Sequence, residues 1–272
     1  MHGILLVNKP KDISSREVCL KVRDAIKILE DKKRRARKLK VGTTGTLDPH
    51  ATGLLILCIG EATKLISVLQ RLDKEYIATM RLHRDVSEDE LKKVVSEFTG
   101  EITQLPPRKS AVARKPRKRK IYRIEILERR NRDVIMKIGC EAGTYIRKLV
   151  ADMGEKIGGA HLQELHRTKV GYFSVEDAFP LEKVMELAKR NRIKEIILPV
   201  EEGIRTLKKV CVKRTAVKSV LNGSPVYKQG ILSADPNIEE NETIAVLSPE
   251  KKLLALGIYK RSFVRIDRVL KR

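Results

Sequence analysis

No tryptophan occurs in the 272 residues, and phenylalanine and tyrosine number only four and six. A surface that reads many bases by stacking needs more rings than that. Acid is scarce as well: 35 Asp and Glu stand against 58 Lys and Arg, a net charge of +23. That balance points to a polyanionic partner, nucleic acid before membrane, gripped through phosphates and duplex shape. No apolar run approaches the ~18 residues of a spanning helix. Met1-His2-Gly3-Ile4 passes straight into a strand-like run without an export signal. The four cysteines, Cys19, Cys58, Cys140 and Cys211, are scattered and form no C-x-x-C pair. They read as core thiols of a reducing compartment, so the expected location is cytoplasmic. The histidines lack metal-ligand spacing, and no phosphate loop or dinucleotide fingerprint is present.

What the chain does have is enough apolar content, 42%, to build real cores. Its length suits one large domain, expected over 1–204, and a small one over 205–272. In the first, Gly3 to Val7 reads as a strand. Ser14 with Glu17 reads as a capping box opening a helix that carries Val18, Val22, Ile26 and Leu29 on one face. Leu54 to Ile59 is a buried strand, and Glu61 to Leu69 a short helix. Lys74 to Leu82 alternates with period two. Ser87 and Glu90 cap a helix that Gly100 ends. Ile121–Leu127 and Asp133–Cys140 read as strands, and a helix is expected from Gly143 to about Ile157. Gly158 and Gly159 break it, Leu162 to Gly171 leads into a strand, and Leu181 to Ala188 is helical. From Leu207 short strands alternate with turns such as Asn222-Gly223 and Asp235-Pro236, a β-rich texture with one helix at Thr215 to Leu221.

One turn stands apart: Gly42-Thr43-Thr44-Gly45-Thr46-Leu47-Asp48-Pro49-His50-Ala51-Thr52-Gly53. Three glycines, four threonines and one proline surround a single acid, immediately before the apolar strand. Glycine allows left-handed backbone and proline fixes φ, so Asp48 sits on a stiff loop able to aim a carboxylate into a cleft. An Asp-Pro turn also forms merely to bond its own backbone, and at this point both readings stand.

Two basic runs flank the turn in sequence. Seven of the nine residues from Lys32 to Lys40 are basic, among them Lys33, Arg34 and Arg35. Between Arg108 and Lys120 eight are basic, including Arg114, Lys115, Arg117, Lys118 and Arg119, and Pro106, Pro107 and Pro116 keep that stretch extended. Such a strip suits contact along an RNA backbone; a solvated charge run is the alternative.

Together these blocks carry a resemblance. The Gly42–Gly53 turn is similar to the signature of TruB-type pseudouridine synthases, whose Gly-x-Leu-Asp-Pro aspartate is catalytic. Leu5-Leu6-Val7-Asn8-Lys9-Pro10, Lys74-Glu75-Tyr76, Gly143-Thr144-Tyr145-Ile146-Arg147 and Gly159-Ala160-His161 through Leu165, Arg167 and Thr168 resemble further blocks of that family, in the family's order. The tail resembles a PUA domain. Leu105-Pro106-Pro107 through Lys120-Ile121-Tyr122 looks like the archaeal, dyskerin-related branch, which works with box H/ACA guide RNAs and small accessory ribonucleoprotein subunits. Thr43 stands where the family usually has His, and both the insertion of bacterial members and the branch's N-terminal extension are missing.

The resemblance implies an α+β fold: a mixed, mainly antiparallel central sheet with flanking helices, plus a β-barrel-like RNA-binding domain. It implies conversion of uridine to pseudouridine without a cofactor, metal or required homodimer. Asp48 would be the catalytic acid in a dry pocket, paired with Arg147, with Tyr76 stacked on the uracil and able to help remove the C5 proton. Tyr145, Leu165, Lys9 and Pro10 would line the substrate pocket. Three functions fit these residues: a guided synthase acting on rRNA, a stand-alone synthase acting on the T-loop uridine of tRNA, and a non-catalytic RNA-binding scaffold.

Overall fold

The computed structural model describes residues 1–31, 39–107 and 113–270. Lys33, Arg34 and Arg35, expected to bind RNA, lie outside the described residues. The large region runs β1 (Gly3–Lys9), α1 (Ser15–Asp31), β2 (Val41–Thr43), β3 (Thr52–Ile59), α2 (Ile66–Leu69), β4 (Lys74–Leu82), α3 (Glu88–Glu97), β5 (Gly100–Gln104), β6 (Arg117–Arg130) and β7 (Asp133–Cys140). It continues through α4 (Ile146–Lys156), β8 (Ala160–Val170), β9 (Phe173–Ser174), β10 (Phe179–Pro180) and α5 (Leu181–Lys189). The strands form one mixed sheet in the order β10-β1-β3-β8-β4-β7-β6-β5, with β2 on β3 and β9 on β8.

The sheet has two halves with different chemistry. From Leu54 to Ile59 β3 is apolar because both its faces are covered there. Leu55, Leu57 and Ile59 pack on Val18, Val22 and Ile26 of α1 and Val184 and Ala188 of α5. Leu54, Ile56 and Cys58 pack on Leu65, Leu69, Val200 and Ile204. The β4–β7 half has helices on one face only, so β7 alternates strictly between half-buried and buried. Its inward residues Val134, Met136 and Ile138 meet Leu91, Val94 and Val95 of α3 and Leu149, Val150 and Met153 of α4. Truncating the fully buried Met136, Ile138, Leu149 or Met153 to alanine costs about 2–5 kcal/mol each.

The halves meet at a narrow parallel seam between β3 and β8, where the register pairs only Thr52 with His166 and Gly53 with Arg167. Gly53 has φ of +101°, and a Cβ there would lie 2.3 Å from the Arg167 carbonyl oxygen. Glycine is what lets the two chains approach.

Several sequence expectations shift by a few residues for local reasons. α4 starts at Ile146 rather than Gly143, since Gly143 is left-handed with φ of +82° and Tyr145 is extended. The stretch from Ala160 to Val170 is itself a strand rather than the approach to one. β6 starts at Arg117, pairing with β5 through Ile121. The capping box at Ser14 forms in both directions, Glu17 N donating to Ser14 Oγ at 3.1 Å and Ser14 N to Glu17 Oε2 at 2.9 Å.

The C-terminal region holds β11 (Lys209–Val212), α6 (Val217–Leu221), β12 (Val226–Tyr227), β13 (Ile231–Ala234), β14 (Thr243–Leu247), β15 (Leu253–Lys260) and β16 (Phe263–Val269). They form a nearly closed, barrel-like sheet in the order β12-β16-β15-β14-β11-β13. Val210, Val212, Val220, Val246 and Val264 fill it. Its other apolar face, with Ala245, Leu247, Leu253, Leu256 and Leu270, joins the core beneath β1 and β3.

Candidate active site

The Asp48 loop leaves β2 and enters β3 at the seam. Asp48 to Ala51 close a tight turn, Ala51 N donating to Asp48 O at 3.0 Å, with Pro49 at the second position where its fixed φ fits. Leu47 and Ala51, 5% and 3% exposed, sink into the core on either side. Asp48, held between two anchors, is left pointing outward.

The β1–α1 connection clamps this loop from below. Buried Ser15 donates from Oγ to Leu47 O at 3.0 Å and accepts from Leu47 N at 2.7 Å. Asp12 N donates to Pro49 O at 2.9 Å, and Asp12 Oδ1 lies 2.8 Å from His50 Nδ1. Lys9 is 0% exposed, and its Nζ donates to Pro10 O, Ile13 O and Pro49 O at 2.7–2.9 Å. The resemblance sets Lys9 in the lining of the substrate pocket; instead it ties two loops together, and half-buried Pro10 contributes a carbonyl to the tie. Burial pushes the Lys9 ammonium pKa down, and the charges of Asp12 and Asp48 oppose that.

Opposite the loop stands Arg147, in the first turn of α4. Its guanidinium donates to Asp48 Oδ2 at 2.6 Å across 99 residues of chain. The side chains of Arg147 and Asp48 are 63% and 50% exposed, so the pair opens to solvent rather than into a dry pocket. At that exposure the pair adds at most about 1 kcal/mol to stability. What it sets is the direction in which the carboxylate faces. Tyr145 precedes α4, and Gln104 holds its backbone from both sides: Tyr145 N donates to Gln104 Oε1 at 3.0 Å and Gln104 Nε2 to Tyr145 O at 3.2 Å.

Tyr76 on β4 is 8% exposed and packs in the same cluster as Leu47 and Ala51, with half-buried Leu165 against it. Register places Tyr76 opposite Arg167 and Ala78 opposite Leu165, on one sheet face. The Arg167 charge acts on the Tyr76 hydroxyl across the strand pair. Burial pushes the phenol pKa up, and Arg167 opposes that rise. The structure therefore gathers Asp48, Arg147, Tyr76 and Leu165 around the seam. An acid, a cation, a phenol and an aliphatic wall can together receive a planar base and exchange protons with it.

The second basic run enters and leaves beside α4. Arg114 and Lys115 are exposed and Arg117 half-exposed. Lys118 is partly spent on Glu101, 2.8 Å away. Arg119 lies across Gly143, and its Nε is buried without a partner.

Sequence reasoning missed Ser15, Gln104 and the part played by Arg167. Ser15 stands beside the more obvious cap Ser14, and Gln104 stands ahead of a proline pair with no periodicity to mark it. Arg167 belongs to a recognisable block of sequence, but only strand register reveals that it faces Tyr76.

Three family models match the chain in succession. One described as TruB family pseudouridylate synthase (N terminal domain) matches residues 32–146, one described as tRNA pseudouridylate synthase B C-terminal domain matches 147–205, and one described as PUA domain matches 208–272. A relative from Methanopyrus kandleri, called probable tRNA pseudouridine synthase B, is 38% identical and aligns over 97% of this chain and 77% of its own length. Its namesake in Korarchaeum cryptofilum is 39% identical over 99% of this chain and 82% of its own. Among solved structures, a chain in a Cbf5–Nop10–Gar1 complex is 34% identical with a TM-score of 0.86, covering 99% of this chain and 85% of that one. A chain in an H/ACA RNP bound to a substrate RNA containing 2′-deoxyuridine is 32% identical with a TM-score of 0.85, at 99% and 85% coverage.

Proposed function

This chain belongs to the TruB family of pseudouridine synthases, and we propose that within it the chain modifies rRNA as the catalytic subunit of a guide-RNA ribonucleoprotein. As a pseudouridine synthase it is an isomerase. The N–C glycosidic bond of uridine is broken and a C–C bond to the same base is formed, the proton lost from C5 being balanced by one gained at the freed N1.

The observation that carries the site assignment is the 2.6 Å contact from Arg147 to Asp48, beside Tyr76. In our reading the target uridine leaves its stack, at a cost of a few kcal/mol. It enters between the Asp48 loop and α4. Phosphate contacts along the basic strip and the C-terminal barrel offset that cost. Arg147 aims the Asp48 carboxylate, Tyr76 packs on the base, and Leu165 forms the wall. Asp48 then acts by attacking the sugar, attacking the base or removing a sugar proton. Asp48→Asn keeps the shape of the side chain and removes its charge. It is expected to lower single-turnover pseudouridine formation by at least about 10³-fold while leaving RNA affinity within a few-fold. Wild-type rates in that variant would refute the assignment.

Two observations pull the substrate in different directions. The solved neighbours are described as Cbf5 with Nop10 and Gar1 and as an H/ACA RNP, which supports guided action with small accessory subunits. The curated relatives carry the name of a tRNA synthase, which supports the stand-alone reading. Mapping pseudouridine in unmodified tRNA and in rRNA fragments, each with and without guide RNA and accessory proteins, separates them. Fast modification of tRNA by the chain alone would favour the second reading.

A further inference from the structure

Among the described residues Arg167 is the arginine most withdrawn from solvent, 3% exposed. None of the described carboxylates forms a salt bridge with it, although an unpaired buried guanidinium costs several kcal/mol. The oxygens it meets carry no charge. Nε donates to Leu54 O at 2.8 Å, across the seam on β3. Opposite it on β4 stands Tyr76, whose hydroxyl feels the guanidinium charge. The register places Arg167 opposite Gly53 on one side and opposite Tyr76 on the other, so one planar fork spans three strands at the point where the catalytic loop begins.

That fork has a chemical consequence. Guanidinium carries only donors, so toward it the Tyr76 oxygen can only accept. The phenolic hydrogen is then free to point elsewhere. A fixed cation on that side favours the rotation in which the hydroxyl hydrogen points away from the guanidinium.

We propose that Arg167 is a positioning residue that acts through Tyr76, holding the phenol in the orientation in which it serves the target base. The proposal rests on the reading of Tyr76 and Asp48 as catalytic. Leu54 O alone would make Arg167 a staple of the seam. Its place opposite Tyr76 is what ties it to the reaction.

The test is a double-mutant cycle measured as single-turnover rate and RNA affinity, with folding checked by thermal melting. Arg167→Met is expected to lower the rate about 10–100-fold and to leave RNA affinity within about 2-fold. In a Tyr76→Phe background the same substitution is expected to cost less than about 3-fold, because the oxygen it acts on is already gone. Arg167→Lys keeps the charge but offers a point donor instead of a fork. It covers the case in which the methionine variant fails to fold, and its loss of rate should likewise vanish in the Tyr76→Phe background. Equal losses in both backgrounds, or a loss of RNA affinity alone, would overturn the proposal and leave a structural staple. If Tyr76→Phe by itself left the rate unchanged, the catalytic reading of Tyr76 would fall first and carry this inference with it.

Discussion

Lys9 brings a charge into the interior and meets three carbonyl oxygens there instead of a carboxylate. One of them belongs to Pro49, next to Asp48, so the tie reports directly on where the carboxylate stands. Lys9→Met strands three acceptors and is expected to cost about 2–4 kcal/mol, read as a fall in Tm. The surviving folded protein should show a reduced kcat with little change in KM, since the loop is loosened and the RNA surface is untouched. Gly53 is equally constrained from the other side of the loop. Gly53→Ala sets a methyl 2.3 Å from the Arg167 carbonyl at a φ of +101° and should destabilise by about 2–4 kcal/mol, measured by denaturant melting. Asp48 itself was legible in the sequence because glycine, proline and a following apolar run all mark a stiff turn. The buried lysine was not. A lysine between a strand and a proline gives no sign of whether its ammonium reaches solvent or folds back under its own loop.

At the level of elements, period-two alternation identified β4 because one face of that half-sheet is bare. β8 was harder. Its outward residues His161, Gln163 and Glu164 interrupt the alternation, and register shifts against β4 at Glu75/Tyr76 and Thr79/Met80 break the period twice. β4 also yields a pH prediction. Lys74 at its start is pushed down to about 8, first by burial and then by the neighbouring Arg167 charge. Its Nζ donates to Gln70 O and Leu72 O. Between about 8 and the ordinary lysine value of 10.5 the unfolded chain holds more protons than the folded one. The contribution of this group to stability therefore grows as pH rises through that window, and it is lost as pH falls through about 8. NMR of lysine side chains should show one ammonium titrating near 8, and Arg167→Met should move it upward. The second basic run makes a separate prediction. Replacing Arg114, Lys115 and Arg117 with glutamine should reduce the slope of log affinity against log salt by about 2, at roughly 0.7 for each phosphate that is no longer neutralised. Lys118→Gln should change the slope less, because Glu101 already meets that charge.

For the molecule as a whole, charge and the scarcity of rings indicated a partner that is polyanionic and read by shape. Texture alone separated the β-rich tail from the rest. How the tail attaches could not be read, because the contacts are distant in sequence. Lys64 Nζ donates to Val269 O, Arg268 to Lys64 O at 3.1 Å, and Leu253 N to Glu201 Oε1 at 3.2 Å. Behind these bonds Ile4, Leu6 and Leu54 share one apolar cluster with Ala245, Leu253 and Leu270. A joint welded in this way turns the chain into a calliper. On the guided reading proposed above, an RNA held by the barrel would present its target at a fixed reach, and adding or deleting one base pair between grip and target is expected to swing the uridine out of register with the jaw, read as a loss of pseudouridine formation.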